Sequence, residues 1–398
     1  MKRFIGGILI LFLVLPFFPY AQQGKLKLVS YSKVTSGAQR TGQYLPLLKS
    51  KRVAVVANQA SLIGKTHLVD SLLSLQVHIV KIFSPEHGFR GNAEAGALIE
   101  DGRDTKTGLP VISLYGNHKK PTAKDLEDID VVLFDLQDVG VRFYTYISTL
   151  AYVMAGCAEN NIPIIVLDRP NPNGFYVDGP VLEPGYSSFV GLHPVPVVYG
   201  MTIGEYARMV NGEKWISDSL QCDLTVIELI GYDHDIIVKL PVKPSPNLPN
   251  REAVYLYPSL AFFEGTIVSV GRGTDFPFQV YGHPDLKTGD FSFIPHGIPG
   301  VSEHPKFEGI TCYGQNLTGY AQDYKRNPHR LNLSWLIGAY RELSADHRFF
   351  NDYFDKLAGT DRLREQIEKG MSEDEIRTSW QKGLEEFENT RQKYLIYE

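Results

Sequence analysis

The chain has 398 residues, 43% of them hydrophobic and 21% charged, which is the make-up of a soluble globular protein with one large or two medium cores. A formal net charge of -5, with no basic run to track phosphates, argues against nucleic acid as a partner. The 22 Tyr and 21 Phe fit either flat-faced ligands such as carbohydrate or ordinary core and subunit contacts.

The first 21 residues read as a secretory signal rather than as fold. Met1-Lys2-Arg3 supplies positive charge, Phe4 to Phe18 is an apolar run too short for a comfortable membrane span, and Ala21 is a small residue at the expected cleavage point. An uncleaved anchor is the alternative, and the absence of a nearby Cys argues against a lipoprotein. The mature chain is expected to be exported, to the periplasm or the cell surface, with no stable membrane insertion after cleavage. Cys157, Cys222 and Cys312 form neither a disulfide framework nor a zinc motif, although Cys222 and Cys312 could pair.

From Lys51 to about Trp215 the pattern alternates between buried strands and helices. Strands are expected at Arg52 to Ala57, Val77 to Phe83, Pro110 to Leu114, Val131 to Phe134 and Pro163 to Leu167. Helices are expected at Thr66 to Leu75, Thr122 to Asp128 and Tyr144 to Glu159. Continuous Val/Ile/Leu runs separated by helices mark a parallel sheet covered on both faces, so the class is α/β, Rossmann-like and doubly wound. The stretch Pro241 to Pro249 holds four prolines and must be an extended loop. Beyond it come strand-like pieces at Thr266 to Val270 and Gly309 to Tyr313, then amphipathic helices at Ser334 to Leu343 and Glu373 to Tyr394. Residues 25–240 are read as the Rossmann-like catalytic domain, and 241–398 as a smaller α+β domain that completes a substrate cleft.

Three strand ends carry polar clusters: Glu86-His87-Gly88, Asp135 to Arg142, and Asp168 to Gly174. The carboxyl ends of neighbouring parallel strands lie side by side, so these loops are expected to converge. Crowded acids push one another's pKa values apart, which suits general acid/base work by Glu86, His87, Asp138 and Asp168. The competing reading of each acid is a helix cap or a loop-fixing ion pair. A nucleotide site is disfavoured: Gly64-Lys65-Thr66 resembles the end of a phosphate loop, but Gln59 stands where the Walker pattern needs glycine. A divalent ion could gather His87, His118, Asp135 and Asp138, yet no two histidines have His-x-His or His-x-x-x-His spacing. Ser84 precedes a proline and lies in no G-x-S-x-G elbow.

The blocks FSPEHGFRG, DLQDVGVRFYTYISTL, LDRPNPNG, DGPVLE and YGMTIGE resemble, in order, those of the NamZ-like exo-β-N-acetylmuramidases. PVKPSPNLP, YPSLAFFEGTIVSVGRGTDFPFQVYGHP and the terminal F-x-x-x-R-x-K-Y-L-x-Y extend the likeness over the whole mature chain. The resemblance implies a Rossmann-like domain, a smaller C-terminal domain, a cleft between them, and removal of N-acetylmuramic acid (MurNAc) from non-reducing ends of peptidoglycan fragments. The resemblance makes Glu86 the leading catalytic acid, and the reaction is expected to run without cofactor or metal. Such a reaction needs a protonated acid at the leaving oxygen and a second group at the oxocarbenium-like centre, or the sugar's own acetamido oxygen steadied by an acid such as Asp138 or Asp168. Glu183 and Glu264 are further carboxyl candidates, and Arg90, Arg142 or Arg272 could hold the lactyl carboxylate. Asp135, Tyr144, Asn171, Asn247 and Asp275 complete the expected substrate contacts, with Phe276 to Tyr281 available for sugar stacking or core packing.

Overall fold

The computed structural model describes residues 26–90, 101–217, 220–324, 326–327 and 329–397, so the expected signal segment lies outside the described residues. A seven-stranded sheet runs in the order Leu224–Ile227, Ile164–Leu167, Val131–Asp135, Val53–Ala57, Ile79–Ser84, Pro110–Ser113 and Gly102–Arg103. Every pairing in it is parallel except the last. The first strand of this sheet along the chain, Val53–Ala57, sits near the middle. Later strands add first on one side and then on the other, which creates a switch point beside it.

Alternation along the strands explains the layers. Ala54, Val56, Val132, Phe134, Ile164 and Val166 enter one core, whereas Val53, Val55, Val131, Leu133, Ile165 and Leu167 enter the other. Successive side chains of a strand face opposite ways, so a run with no polar member buries both faces. Helices Thr41–Leu48 and Leu68–Ser74 cover one face through Tyr44, Leu48, Leu68, Val69 and Leu72. Helices Tyr146–Glu159 and Ile203–Gly212 cover the other, in a core that continues into the C-terminal part through Phe262, Leu336, Phe354 and Trp380.

The C-terminal part begins with helix Arg251–Leu260, whose cap Asn250 accepts a hydrogen bond from the Ala253 amide, and a 3-10 turn at Ala261–Gly265. An antiparallel sheet of Val280–His283, Cys312–Asn316 and Phe291–Phe293 follows, then helices Ser334–Leu343, Phe354–Ala358, Arg362–Glu368 and Glu373–Arg391. The last residues fold back onto the large unit: the Ile396 amide donates to Glu205, and the Tyr397 hydroxyl donates to Asp168 at 2.6 Å.

Four sequence expectations are corrected here. Thr266 to Val270 is not a ladder strand: it is pinned by single bridges of Thr266 to Phe350 and of Ser269 to Gly282. The strand expected at Gly309 to Tyr313 starts three residues later, at Cys312, because Phe307 and Gly309 take positive φ angles and turn the chain. The helix expected from Thr66 starts at Leu68, after a two-residue hairpin between Leu62–Ile63 and Thr66–His67. Cys157, Cys222 and Cys312 are buried free thiols, so Cys222 and Cys312 do not pair.

Candidate active site

Glu86 owes its position to the way its strand stops. Pro85 follows the Ile79–Ser84 strand and has no N–H for the ladder. His87 and Gly88 then adopt left-handed φ angles of 70° and 81°, and the Gly88 amide closes the turn on the Pro85 carbonyl. A histidine in that conformation is unusual and must be held by its surroundings. Its imidazole is buried, with Nε2 3.3 Å from the Ser245 hydroxyl on the proline-rich loop. The turn leaves Glu86 half-buried on the wall of a cavity of about 450 Å³. There its Oε2 accepts a hydrogen bond from the Thr145 hydroxyl at 2.7 Å.

The cavity lies between the two parts of the chain. Glu86, His87, Tyr115, Tyr144, Thr145 and Tyr146 come from the large unit; Asn247, Tyr257, Glu264, Arg272, His304 and Tyr353 come from the loop and the small unit opposite. Arg272 donates Nε and Nη2 to one Glu264 oxygen at 2.9 and 2.6 Å and rides over the Phe278 ring. Asn247 is buried, and its Nδ2 donates to the Val301 carbonyl at 2.8 Å. That donation fixes the amide's orientation, and Oδ1 has no hydrogen-bond partner among the described residues. Tyr144 donates its hydroxyl to the Pro244 carbonyl, tying the proline-rich loop to the large unit. Tyr115, Tyr146, Tyr257, Arg272 and Tyr353 all lie within electrostatic reach of Glu86. Burial, and then the neighbouring Glu86 carboxylate, push the Tyr115 hydroxyl above its ordinary range, so it remains a proton donor.

Of the residues singled out in the sequence, the cavity gathers Glu86, His87, Tyr144, Asn247, Glu264 and Arg272. The remaining acids do not converge on it. Asp135 is sealed in a bidentate pair with Arg169, at 2.6 and 2.8 Å, with both side chains almost fully buried. Asp138 is enclosed by the Tyr199 hydroxyl and the Gly140 amide, and burial pushes its pKa up to about 6. Asp168 accepts from the Arg169 and Gly204 amides and the Thr202 and Tyr397 hydroxyls, and burial pushes it up to about 7. It thereby holds the first turn of the Ile203–Gly212 helix, whose cap is Thr202. The strand-end loops do lie side by side, but these three side chains turn back into the protein.

Other candidates also lie elsewhere. Arg142 is fully buried and donates to the carbonyls of Pro180, Val195, Leu357 and Ala358, which leaves its two terminal nitrogens committed to backbone. Burial lowers its pKa to about 9. Arg90 forks onto Asp104 at 3.0 and 2.8 Å. Asn171 holds the Met201 carbonyl and the Asn173 amide, Glu183 pairs with Thr360 and Arg362, and Asp275 is exposed on a turn. His87, Asp135 and Asp138 do not form a metal-ligand cluster, and His118 pairs with Asp125. Within the expected stacking run, Phe278 lines the cavity, whereas Tyr281 stacks on Phe263 and Phe276 packs on Phe291.

Tyr115, Thr145, Tyr257, His304 and Tyr353 went unread in the sequence. Tyr115 stands just past the Pro110–Ser113 strand, where the strand-end rule would have found it. Tyr353 lies in a short turn before helix Phe354–Ala358 and carries no local signal.

Comparison with known proteins places this geometry. Residues 53–252 match the N-terminal part of the family described as exo-β-N-acetylmuramidase NamZ, and residues 255–397 match its C-terminal part. The chain is 41% identical over 374 residues to the peptidoglycan β-N-acetylmuramidase NamZ of Bacillus subtilis, covering 89% of each. It is similar to the crystal structure of a DUF1343 family protein from Bacteroides fragilis at 46% identity and a TM-score of 0.83, covering 92% of this chain and 99% of that one. A second such protein from the same organism aligns at 28% identity and a TM-score of 0.74, with the same coverage. The large mostly parallel sheet, the smaller C-terminal part and both family matches agree: the chain belongs to the NamZ exo-β-N-acetylmuramidase family.

Proposed function

We propose that this protein is an exo-acting glycoside hydrolase that releases MurNAc from the non-reducing ends of peptidoglycan fragments, with Glu86 as general acid. Family membership supports the reaction class. The observation that carries the residue assignment is that Glu86, half-buried and hydrogen-bonded by the Thr145 hydroxyl, faces a cavity walled by both parts of the chain. At about 450 Å³ the cavity lies within the range of about 300–1,000 Å³ usual for small-ligand sites.

The other lining residues fit the substituents of the sugar. Arg272 is a cation in reach of the cavity and suits the lactyl carboxylate, with Glu264 holding its guanidinium in plane. Asn247 Oδ1 is a buried acceptor that a 2-acetamido N–H would satisfy, and a buried acceptor left without a donor is costly. Held there, the acetamido group can turn its carbonyl oxygen toward the anomeric carbon while Glu86 protonates the departing oxygen. Asn247 thus takes the role that the sequence offered to Asp138 or Asp168. The charged and apolar pattern of residues 1–21 supports export to the periplasm or cell surface. No helix among the described residues is long and apolar enough to cross a membrane.

The test is hydrolysis of a chromogenic MurNAc glycoside by Glu86→Gln. Turnover should fall by about 10²–10⁴-fold with an unchanged thermal midpoint. A variant keeping more than a few per cent of the rate refutes the assignment.

A further inference from the structure

Outside the cavity, two histidines and one aspartate from separate segments meet in the small unit. His283 ends the Val280–His283 strand, Asp285 lies in the turn after it, and His347 follows helix Ser334–Leu343. Their ligand atoms all lie within 4.8 Å of one another; Asp285 Oδ2 is 3.0 Å from His347 Nε2 and 3.8 Å from His283 Nδ1. We propose that His283, Asp285 and His347 form an open binding site for a divalent transition-metal ion of the zinc type.

The geometry fits such an ion with little rearrangement. Bonds of about 2.0–2.2 Å in a tetrahedron set ligand atoms roughly 3.3–3.6 Å apart, between the two Asp285–histidine separations. Two imidazoles with one carboxylate favour zinc, nickel or copper over magnesium or calcium, which prefer all-oxygen shells. The fourth position faces solvent, since the Asp285 side chain is 62% exposed.

The scaffold around the ligands is built in advance. Glu342, on the helix that leads to His347, accepts hydrogen bonds from the amides of Lys287 and Thr288 and from the Thr288 hydroxyl. This clamps the Asp285 turn to that helix before any ion arrives. Behind the site, the Phe307 ring meets His283 edge-on at 4.8 Å and fixes its plane. The Asp285 amide donates to His283 Nδ1 at 3.1 Å, so this nitrogen presents a lone pair, and the ion must displace that contact to bind. Occupancy would tie the strand end to the segment that continues through Phe350, bridged to Thr266, to Tyr353 on the cavity wall. The ion is therefore a clamp on the small unit, distinct from the hydrolytic residues.

The test is calorimetric titration of the untagged, metal-stripped mature chain with zinc chloride, repeated with magnesium chloride and with the variants His347→Ala and Asp285→Asn. The expected result is one saturable zinc equivalent per chain, a raised thermal midpoint, no matching magnesium site, and at least tenfold weaker zinc binding in each variant. No saturable zinc binding, or binding weakened less than tenfold in either variant, overturns the proposal. In that case His347 and Asp285 form only an ion pair.

Discussion

The loop after the Ile79–Ser84 strand and the loops after the Val131–Asp135 and Ile164–Leu167 strands have the same texture: an acid or two, an arginine, a proline or glycine. Their fates differ. Glu86 stays half-buried on a cavity wall, whereas Asp135, Asp138 and Asp168 are withdrawn behind it and held by Arg169, Tyr199 and Tyr397. The lesson is that a strand-end position nominates an acid, while the partners arriving from elsewhere decide whether it does chemistry or holds the wall.

Substitutions on the two sides of that divide should separate activity from stability. The largest effect is that of Glu86→Gln, whose loss of turnover leaves melting unchanged; an equal loss of folded protein would collapse the distinction. Asp135→Asn should do the reverse. It strands the Arg169 guanidinium without its buried counter-charge and should cost about 3–5 kcal/mol in denaturant unfolding, with near-normal turnover per folded molecule. Full stability in that variant would show that the pair is not what fixes the loop.

Two substitutions within the cavity sharpen the picture. Arg272→Ala should lower kcat/KM on MurNAc glycosides by about 10–100-fold through the lost charged contact, with a much smaller effect on N-acetylglucosamine glycosides that lack the lactyl carboxylate. Equal losses on both substrates would mean that Arg272 acts only through Glu264. Thr145→Val removes one donor from Glu86 and should cost about tenfold in kcat with little change in KM. An unchanged kcat would assign Thr145 a purely structural role.

The smallest effect concerns Asp168. Its pKa rises from the ordinary 3.8 to about 7 on burial, so folding takes up a proton in that window. The stabilising contribution is full below about 3.8 and is lost as pH climbs through about 7. Melting curves of Asp168→Asn should therefore depend less on pH between those limits than those of the parent chain. Parallel slopes would show that the carboxylate is already charged when buried.

The sheet was readable because its signal is local. Unbroken apolar runs such as Val53–Ala57 and Ile164–Leu167 have nowhere to go but between two layers. Glu86 was readable for a similar reason: Pro85 and Gly88 force a turn where a parallel strand ends. The fates of Arg142 and Asp168 were not readable. Arg142 is held by carbonyls as far along the chain as Leu357 and Ala358, and Asp168 is closed by Tyr397, 229 positions away. A guanidinium written into a polar block looks the same whether it will meet a ligand or four backbone oxygens. The absence of a strand at Thr266 to Val270 has a related cause: its composition is strand-like, but Lys306 Nζ donates to the carbonyls of Thr266 and Val268, at 2.6 and 3.4 Å.

The returning C-terminal strap has a consequence for how the chain reaches its native form. Its tyrosine fills a small cluster with Val34, Leu229 and Tyr232, all of which precede the C-terminal part that starts at Arg251. The large unit therefore stays unfinished until the C-terminal part has been synthesised and has delivered that ring. Separately expressed halves should be poor folders, and a break in either should be felt by both as a single cooperative loss.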